Sequence, residues 1–310
     1  MDINGCNIPR VAVALAVYNG MEWLSEQLNS ILKQDGVEVT VFISIDPSTD
    51  ESENLCHKLI AQHKNIVLLP NAGKFGGASK NFFRLIRDVD FSDFDYFSFA
   101  DQDDIWLKDK LINAVNKLIE TKSSGYSSNV IAFWSTGKKK LIEKSQPQRE
   151  WDYLFEAAGP GCTYVMTIEL ASEIKKTVVA NWSEVNQLGL HDWFSYAYAR
   201  ANGFKWFIDP RPGMLYRQHL NNQVGVNVGW KAFCYRLKAV AEGWGIEQSL
   251  LIAKLIGQAD TNFVKNWSGF SRYGFIKLAL NANKCRRKPV ERALFFFACL
   301  LMAIVGKSFR

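Results

Sequence analysis

The chain has 310 residues, 48% hydrophobic and 22% charged, which are the proportions of an ordinary folded protein with room for one large domain and an appendage; no repeat or low-complexity linker is visible. The formal charge of +6 is unevenly spread, because residues 226–310 carry 14 Lys and Arg against 4 Asp and Glu, a net +10 that leaves −4 for residues 1–225. Six cysteines, at 6, 56, 162, 234, 285 and 299, form no Cys-x-x-Cys pair and have no histidine at zinc-ligand spacing, which argues against a zinc module and fits reduced thiols in a cytosolic protein.

The apolar run from Val11 to Val17 is too short for a signal-peptide core or a membrane span, and it reads as the first core strand. Helical and apolar patterns then alternate: helix 21–34, strand 38–45, helix 51–63, strand 65–69, helix 78–88, strand 95–100 and helix 107–121. Such alternation predicts parallel strands joined by crossover helices. Ligands of open sheets of this kind sit at the carboxyl ends of the strands, where Tyr18, Asp46 and Asp101 all fall.

The strand Tyr96-Phe97-Ser98-Phe99-Ala100 ends in Asp101-Gln102-Asp103-Asp104. Several carboxylates at one strand tip repel one another unless a cation lies between them, which points to a divalent metal held by Asp101 and Asp103 and to a phosphorylated substrate. Two other readings stand beside this one. An Asp-rich turn can close a strand with Asp104 capping the next helix. A phosphatase-type Asp nucleophile wants Asp-x-Asp-x-Thr near the first strand, whereas here Ile105 takes the place of Thr and the motif comes late.

Beyond Gly125 the pattern is mixed. Val130 to Trp134 reads as a strand, Lys138-Lys139-Lys140 as a solvated turn, and Gly159 to Thr163 as a turn leading into a strand at Tyr164-Val165-Met166. His191-Asp192-Trp193 opens a helix over 194–201, and from Trp230 onward periodicity predicts helices. Ala293 to Gly306 is a 14-residue stretch without charge, preceded by Lys284, Arg286, Arg287, Lys288 and Arg292. That is short of the roughly 18 residues of a spanning helix, so it reads as a segment lying on an anionic membrane surface, each nearby Lys or Arg adding about 1 kcal/mol. A buried C-terminal helix or a dimer contact is the alternative. The basic stretch lacks a nucleic-acid-reading motif, and no nucleic acid is expected.

Six stretches in order, Ala16-Val17-Tyr18-Asn19-Gly20, Ser44-Ile45-Asp46-Pro47-Ser48-Thr49-Asp50, Asn71-Ala72-Gly73, Asp101-Gln102-Asp103-Asp104-Ile105-Trp106, His191-Asp192-Trp193 and Tyr216-Arg217-Gln218-His219-Leu220-Asn221-Asn222, carry a resemblance. Across residues 10–225 the chain resembles the family 2 glycosyltransferases of the GT-A fold, among them the rhamnosyltransferase-like enzymes of bacterial surface polysaccharide assembly. The resemblance implies an α/β fold, a GT-A (nucleotide-diphospho-sugar transferase) Rossmann-like mixed sheet with a C-terminal helical extension. Residues 1–225 would form the catalytic domain, and residues 226–310 a basic helical region that associates with membrane.

The same resemblance places Ala16, Tyr18 and Asp46 around the base and ribose of the donor. Ile45 and Pro47 depart from the usual Asp-Asp-Gly-Ser, which puts nucleotide affinity or identity in question. Lys74 or Lys80 would meet the diphosphate, with Lys80 at the position where related enzymes often carry a basic residue. Asp101 and Asp103 would hold Mg2+ or Mn2+, with Asp104 orienting its neighbours. His219 would approach the metal and Arg217 a phosphate, though a His in such a stretch is equally a loop hydrogen-bonder. Asp192 would be the general base, with His191 orienting it and Cys162-Thr163 lining the acceptor loop. Trp106 and Trp193 would stack on sugars or pack in the core.

The implied activity is inverting, metal-dependent transfer of a sugar, rhamnose or another deoxyhexose. It would pass from a UDP- or dTDP-sugar to a glycan or polyprenyl-linked acceptor in cell-surface polysaccharide (O-antigen or capsule) synthesis, at the cytoplasmic face of the cell membrane. A noncatalytic sugar-nucleotide or glycan-binding partner is the second reading, motivated by Ile45 and Pro47. A nucleotidyltransferase fits less well, because no basic Gly-rich loop follows Val17.

Overall fold

The computed structural model describes residues 7–219 and 243–305. Strand β1 (Arg10–Val17) is an interior strand of a seven-stranded sheet. Its residues Val11 to Leu15 are all fully buried, with Val11, Val13 and Leu15 facing one core and Ala12 and Ala14 the other. A strand covered on both faces reads as a continuous apolar run, and this explains why β1 shows no polar alternation.

On one side β1 pairs in parallel with β2 (Glu38–Ile45) from Arg10↔Glu38 to Val17↔Ile45. On the other it pairs in parallel with β4 (Tyr96–Ala100), ending at Leu15↔Ala100. These registers bring the three strand tips to one level. The sheet is completed by β3 (Ile66–Leu68), β6 (Gly125–Ser128), β9 (Val165–Thr167) and β10 (Trp206–Asp209), in the order β10-β6-β9-β4-β1-β2-β3. β9 runs antiparallel to both β4 and β6, which makes the sheet mixed.

Helices α1 (Leu24–Leu32), α2 (Ser52–Gln62) and α4 (Lys110–Thr121) cover one face. Helices α3 (Ala78–Asp88), α5 (Ile168–Ala180) and α7 (His191–Ala201) cover the other, and the short α6 (Trp182–Val185) joins α5 to α7. A second sheet, β5 (Ile105–Trp106), β11 (Met214–Gln218), β7 (Val130–Trp134) and β8 (Lys139–Ile142), has the order β5-β11-β7-β8. Only Asp101 to Asp104 separate β4 from β5, so the acidic tetrad bridges the two sheets.

The C-terminal helices are α8 (Trp244–Leu255), α9 (Asn262–Ser268), α10 (Arg272–Leu280), α11 (Ala282–Cys285) and α12 (Pro289–Val305). Their residues Ile252, Trp267, Phe275, Cys285, Cys299 and Met302 belong to the same buried cluster as Phe83 and Phe194. Of the cysteines, 56, 162, 285 and 299 are free and buried. The boundary expected at 225, Leu220-Asn221-Asn222, the helix start at Trp230, Cys6 and Cys234 lie outside the described residues.

Three expectations need correction. The helix expected from 107 begins at Lys110, because Ile105 and Trp106 pair with Leu215 and Met214 and the Leu107 N–H donates to the Gly213 carbonyl. Lys139 and Lys140 are not a turn but part of β8, opposite Phe133 and Ala132; the turn itself falls at Gly137, whose φ of +81° suits glycine. The basic residues before α12 were expected to face lipid headgroups, yet several turn inward. Arg286 donates to the Phe155 carbonyl and Arg287 is buried against Asp152 and Glu156, whereas Lys284 stays at the surface, paired with Glu150.

Candidate active site

The ends of β1, β2 and β4 open into a cavity of about 990 Å³. Gln102 ties the first and third tips together. Its side-chain oxygen accepts the Tyr18 N–H at 2.9 Å, and its amide donates to the Tyr18 carbonyl at 2.8 Å. A Cβ on Gly20 would come within 2.4 Å of that oxygen, so the tie demands glycine there. The Tyr18 side chain is 52% exposed, presented to the crevice rather than the core.

Asp46, at the tip of β2, is 5% exposed and accepts the backbone N–H groups of Phe75 at 2.7 Å and Gly76 at 2.9 Å. It therefore braces the loop ahead of α3, while each carboxylate oxygen retains a second lone pair toward the cavity. Behind it, Ser44, Asn81 and Arg84 form a buried network: Arg84 donates to Ser44 Oγ at 2.7 Å and Asn81 to the Ser44 carbonyl at 3.0 Å.

At the tip of β4, Asp103 Oδ2 lies 2.7 Å from His219 Nε2, and the His219 ring stacks on Trp23 with centroids 4.1 Å apart. Burial, and then the neighbouring Asp103, push Asp101 up to about 7. Burial, Asp103 and Asp101 likewise hold Asp104 well above the usual carboxylate range. Asp104 Oδ1 accepts the Arg217 N–H at 3.0 Å, and its buried carboxyl faces the Cys162 thiol. Ligand atoms of Asp101, Asp104 and Cys162 lie within 4.8 Å of one another. Burial and both carboxylates keep the Cys162 thiol far above its normal range.

The carboxylates of Asp101 and Asp103 with the His219 imidazole are the oxygen and nitrogen donors that suit Mg2+ or Mn2+, and the buried Asp101 and Asp104 are raised by burial first and then by neighbouring carboxylates that a cation would offset. The donor set thus fits such an ion. Lys110 is buried behind the tetrad with its ammonium 3.4 Å from the Trp106 ring centre, and burial lowers it to about 7.

Asp192, which also lines the cavity, lies in the first turn of α7, and its Oδ1 accepts the Trp193 N–H at 2.7 Å. Burial raises its carboxyl to about 6, against the pull of backbone N–H groups that include Gly161. His191 is buried, stacked on Phe82 at 4.0 Å and edge-on to Phe99 at 4.7 Å, and burial lowers it to about 3. Its neutral ring packs under the site, and a Cβ on Gly161 would come within 2.8 Å of its Nε2.

Of the residues singled out in the sequence, Ala16, Tyr18, Asp46, Asp101, Asp103, Asp192 and His219 line this one cavity. Lys80 is exposed on α3 outside it, and Lys74 lines it instead. Arg217 does not reach it. Its guanidinium donates to the Asp103 carbonyl at 2.7 Å, pairs with Glu26 and stacks over Phe133, so it braces the tetrad from behind. Trp106 and Trp193 are buried, the latter donating to the Tyr153 carbonyl at 2.9 Å, and neither lines the cavity. Gln102, Lys144 and Glu156 were not foreseen. Gln102 sits inside the tetrad, whereas Lys144 and Glu156 stand in irregular segments with no motif around them.

A sequence profile of Glycosyl transferase family 2 matches residues 12–163. The chain is 46% identical over 288 residues to the dTDP-rhamnosyl transferase RfbG of Shigella flexneri, covering 93% of this chain and 99% of that protein. A shorter likeness, 26% over 115 residues, relates it to the glycosyltransferase GlyG of Streptococcus pneumoniae, covering 37% of this chain and 36% of that protein. Among solved structures, TarS 1–349 of S. aureus in complex with UDP-GlcNAc aligns with a TM-score of 0.53 at 14% identity, over 97% of this chain and 93% of that one. The mannosyltransferase PcManGT of Pyrobaculum calidifontis, in complex with GDP-Man and Mn2+, aligns at 0.50 and 17% identity, over 96% and 87%. The fold is GT-A, with a helical C-terminal region.

Proposed function

The chain belongs to glycosyl transferase family 2, and from that premise we propose that it moves rhamnose from dTDP-rhamnose to a hydroxyl of a glycan carried on a polyprenyl lipid. It is a nucleotide-sugar glycosyltransferase; the inverting course, the cation, the donor and the acceptor make up the proposal. The observation that carries it is a single cavity lined by Asp101, Asp103 and His219 together with Asp192, whose carboxyl is close enough to act on Asp101. The choice of dTDP and rhamnose rests on the likeness to the Shigella flexneri dTDP-rhamnosyl transferase.

In this reading the tips of β1 and β2 receive the nucleotide, with Asp46 accepting the ring N–H of the pyrimidine and Lys74 meeting the diphosphate. Asp101, Asp103 and His219 hold Mg2+ or Mn2+, which when bound offsets the charge that grows on the leaving diphosphate. Asp192 takes the proton from the acceptor hydroxyl as its oxygen attacks the anomeric carbon from the face opposite the departing diphosphate. One C–O bond forms as another breaks, and the configuration inverts. The neutral His191 ring, stacked on Phe82, forms part of the apolar floor of the cavity that Asp192 also lines.

Among the described residues no helix is long and apolar enough to cross a membrane. The protein is instead held at the inner face of the cell membrane by the exposed apolar side of α12, beside the lipid-linked acceptor.

The test uses the purified full chain with UDP-, dTDP- and GDP-sugars and Mn2+ or Mg2+, alongside Asp103→Ala and Asp192→Asn. The expected result is consumption of dTDP-rhamnose only with metal, slowed about 10²- to 10⁴-fold in both variants, with dTDP binding retained by Asp192→Asn. Use of a UDP- or GDP-sugar alone would reassign the donor. Turnover undiminished by Asp192→Asn would remove that residue from the reaction.

A further inference from the structure

Near Asp192 the cavity has further lining that the donor and the cation do not use. Lys144 and Glu156 line it there, together with Ala157, Gly159 and Pro160. Lys144 follows β8, and its backbone N–H donates to Asn129 Oδ1 at 2.6 Å. A Cβ on Gly159 would sit 3.6 Å from the Cβ and Cγ of Lys144, so the lysine stem lies against that glycine. Its ammonium has no hydrogen-bond or ion-pair partner among the described residues, although burial lowers its pKa.

Glu156 is fixed from the far end of the chain. Its Oε1 accepts the Arg287 N–H at 2.6 Å, and its Oε2 lies 3.5 Å from Arg287 Nη2. Arg287 also donates to the Ala157 carbonyl at 2.6 Å and pairs with the fully buried Asp152 at 3.3 Å. A carboxylate held by Arg287 and an ammonium without a partner among the described residues therefore line the cavity together, the ammonium within electrostatic reach of both Glu156 and Asp192. The charges facing Lys144 are Asp192, Glu156 and Glu291 against Arg287 and Lys288, with Arg287 already offset by Asp152. Negative and positive groups nearly cancel there, which disfavours a phosphate and suits a neutral polyhydroxyl.

We propose that Lys144 and Glu156 form the acceptor subsite, binding neighbouring hydroxyls of a neutral acceptor sugar beside Asp192, and that Arg287 positions this pair from the C-terminal region. An ammonium that only donates and a carboxylate that only accepts discriminate between hydroxyl arrangements, because a mismatched sugar leaves a buried polar group unpaired. The inference rests on the glycosyltransfer reading with Asp192 as base.

The experiment uses the full chain with Mn2+, dTDP-rhamnose and a panel of p-nitrophenyl glycosides, and compares Lys144→Met and Glu156→Gln with the unaltered protein. Three readouts are taken: dTDP affinity, donor hydrolysis by water, and KM for the glycoside the unaltered protein uses best. At pH 8, where Asp192 stays ionised in both variants, the expected result is dTDP affinity and hydrolysis within about twofold of the unaltered protein and a glycoside KM raised about tenfold or more in both variants. An unchanged KM, or a parallel fall of donor hydrolysis in both variants, would overturn the subsite. If instead the unaltered protein neither hydrolyses the donor nor transfers it, the glycosyltransfer reading has failed, and the subsite fails with it.

Discussion

Asp192 must be ionised to accept a proton, yet burial raises its carboxyl to about 6. Acceptor transfer should therefore fall about tenfold per pH unit below roughly 6, and kcat/KM measured between pH 5 and 8 reads this limb directly. A carboxyl whose pKa is raised on folding stabilises the folded state below its unfolded value near 3.8, and that contribution is lost as pH rises through about 6. At neutral pH the charged Asp192 consequently destabilises the fold. Asp192→Asn should raise the thermal midpoint by about 2 °C or more at pH 7.5, with the gap closing toward pH 4; a lowered midpoint at pH 7.5 would mean that the N–H groups of Gly161 and Trp193 outweigh the burial. The carboxylates at 46, 101, 103 and 192 were legible because each stands at a strand tip or a helix start. The true partners of Arg217 were not, because the Glu26 and Phe133 contacts depend on how β11 seats against α1 and β7. Nothing in the sequence marked Lys144, because only the fold brings residues 144, 156 and 287 together.

Gly125 opens β6 directly opposite Trp206 of β10, and a Cβ at this glycine would come within 2.1 Å of the Trp206 ring. That ring cannot yield easily. Its Nε1 donates to Ser127 Oγ at 3.0 Å, and its edges meet Tyr164 at 4.7 Å and Tyr196 at 5.4 Å. Gly125→Ala should destabilise the protein by about 1–3 kcal/mol, read as a lower urea midpoint at an unchanged slope. An unaltered midpoint would show that the two strands separate at no cost. The elements of the first half were legible because each long run buries a stripe of its own period, as β2 and α3 do over the residue ranges expected for them. The short strands β5, β10 and β11 were hidden, since two to five residues carry too little periodicity and their pairing partners lie far along the chain.

The C-terminal helices combine two functions that composition alone could not separate. Cys299, Met302 and Ala303 on one side of α12 enter the main core, while Leu294, Phe297, Leu301 and Ile304 on the other side remain exposed, Ile304 at 74%. Tyr273 and Leu280 of the neighbouring α10 are also exposed, at 66% and 71%. Deleting residues 284–310 is therefore a poor test of membrane attachment. It would remove Arg287 and leave the buried Asp152 and Glu156 short of a cation, a loss of about 3–5 kcal/mol for a broken buried pair. Phe297→Ser combined with Ile304→Ser leaves that network intact and takes away only apolar surface. With vesicles containing anionic lipid, the unaltered chain should sediment and the double variant should shift to the supernatant, losing about 3 kcal/mol of binding if both side chains enter the interface. Hydrolysis of dTDP-rhamnose in solution should stay the same in both. Equal sedimentation of the two proteins would assign the exposed face of α12 to something other than lipid. The acceptor subsite would be untouched by that outcome, because neither Arg287, which precedes α12, nor Glu156 is among the exposed apolar side chains of that helix.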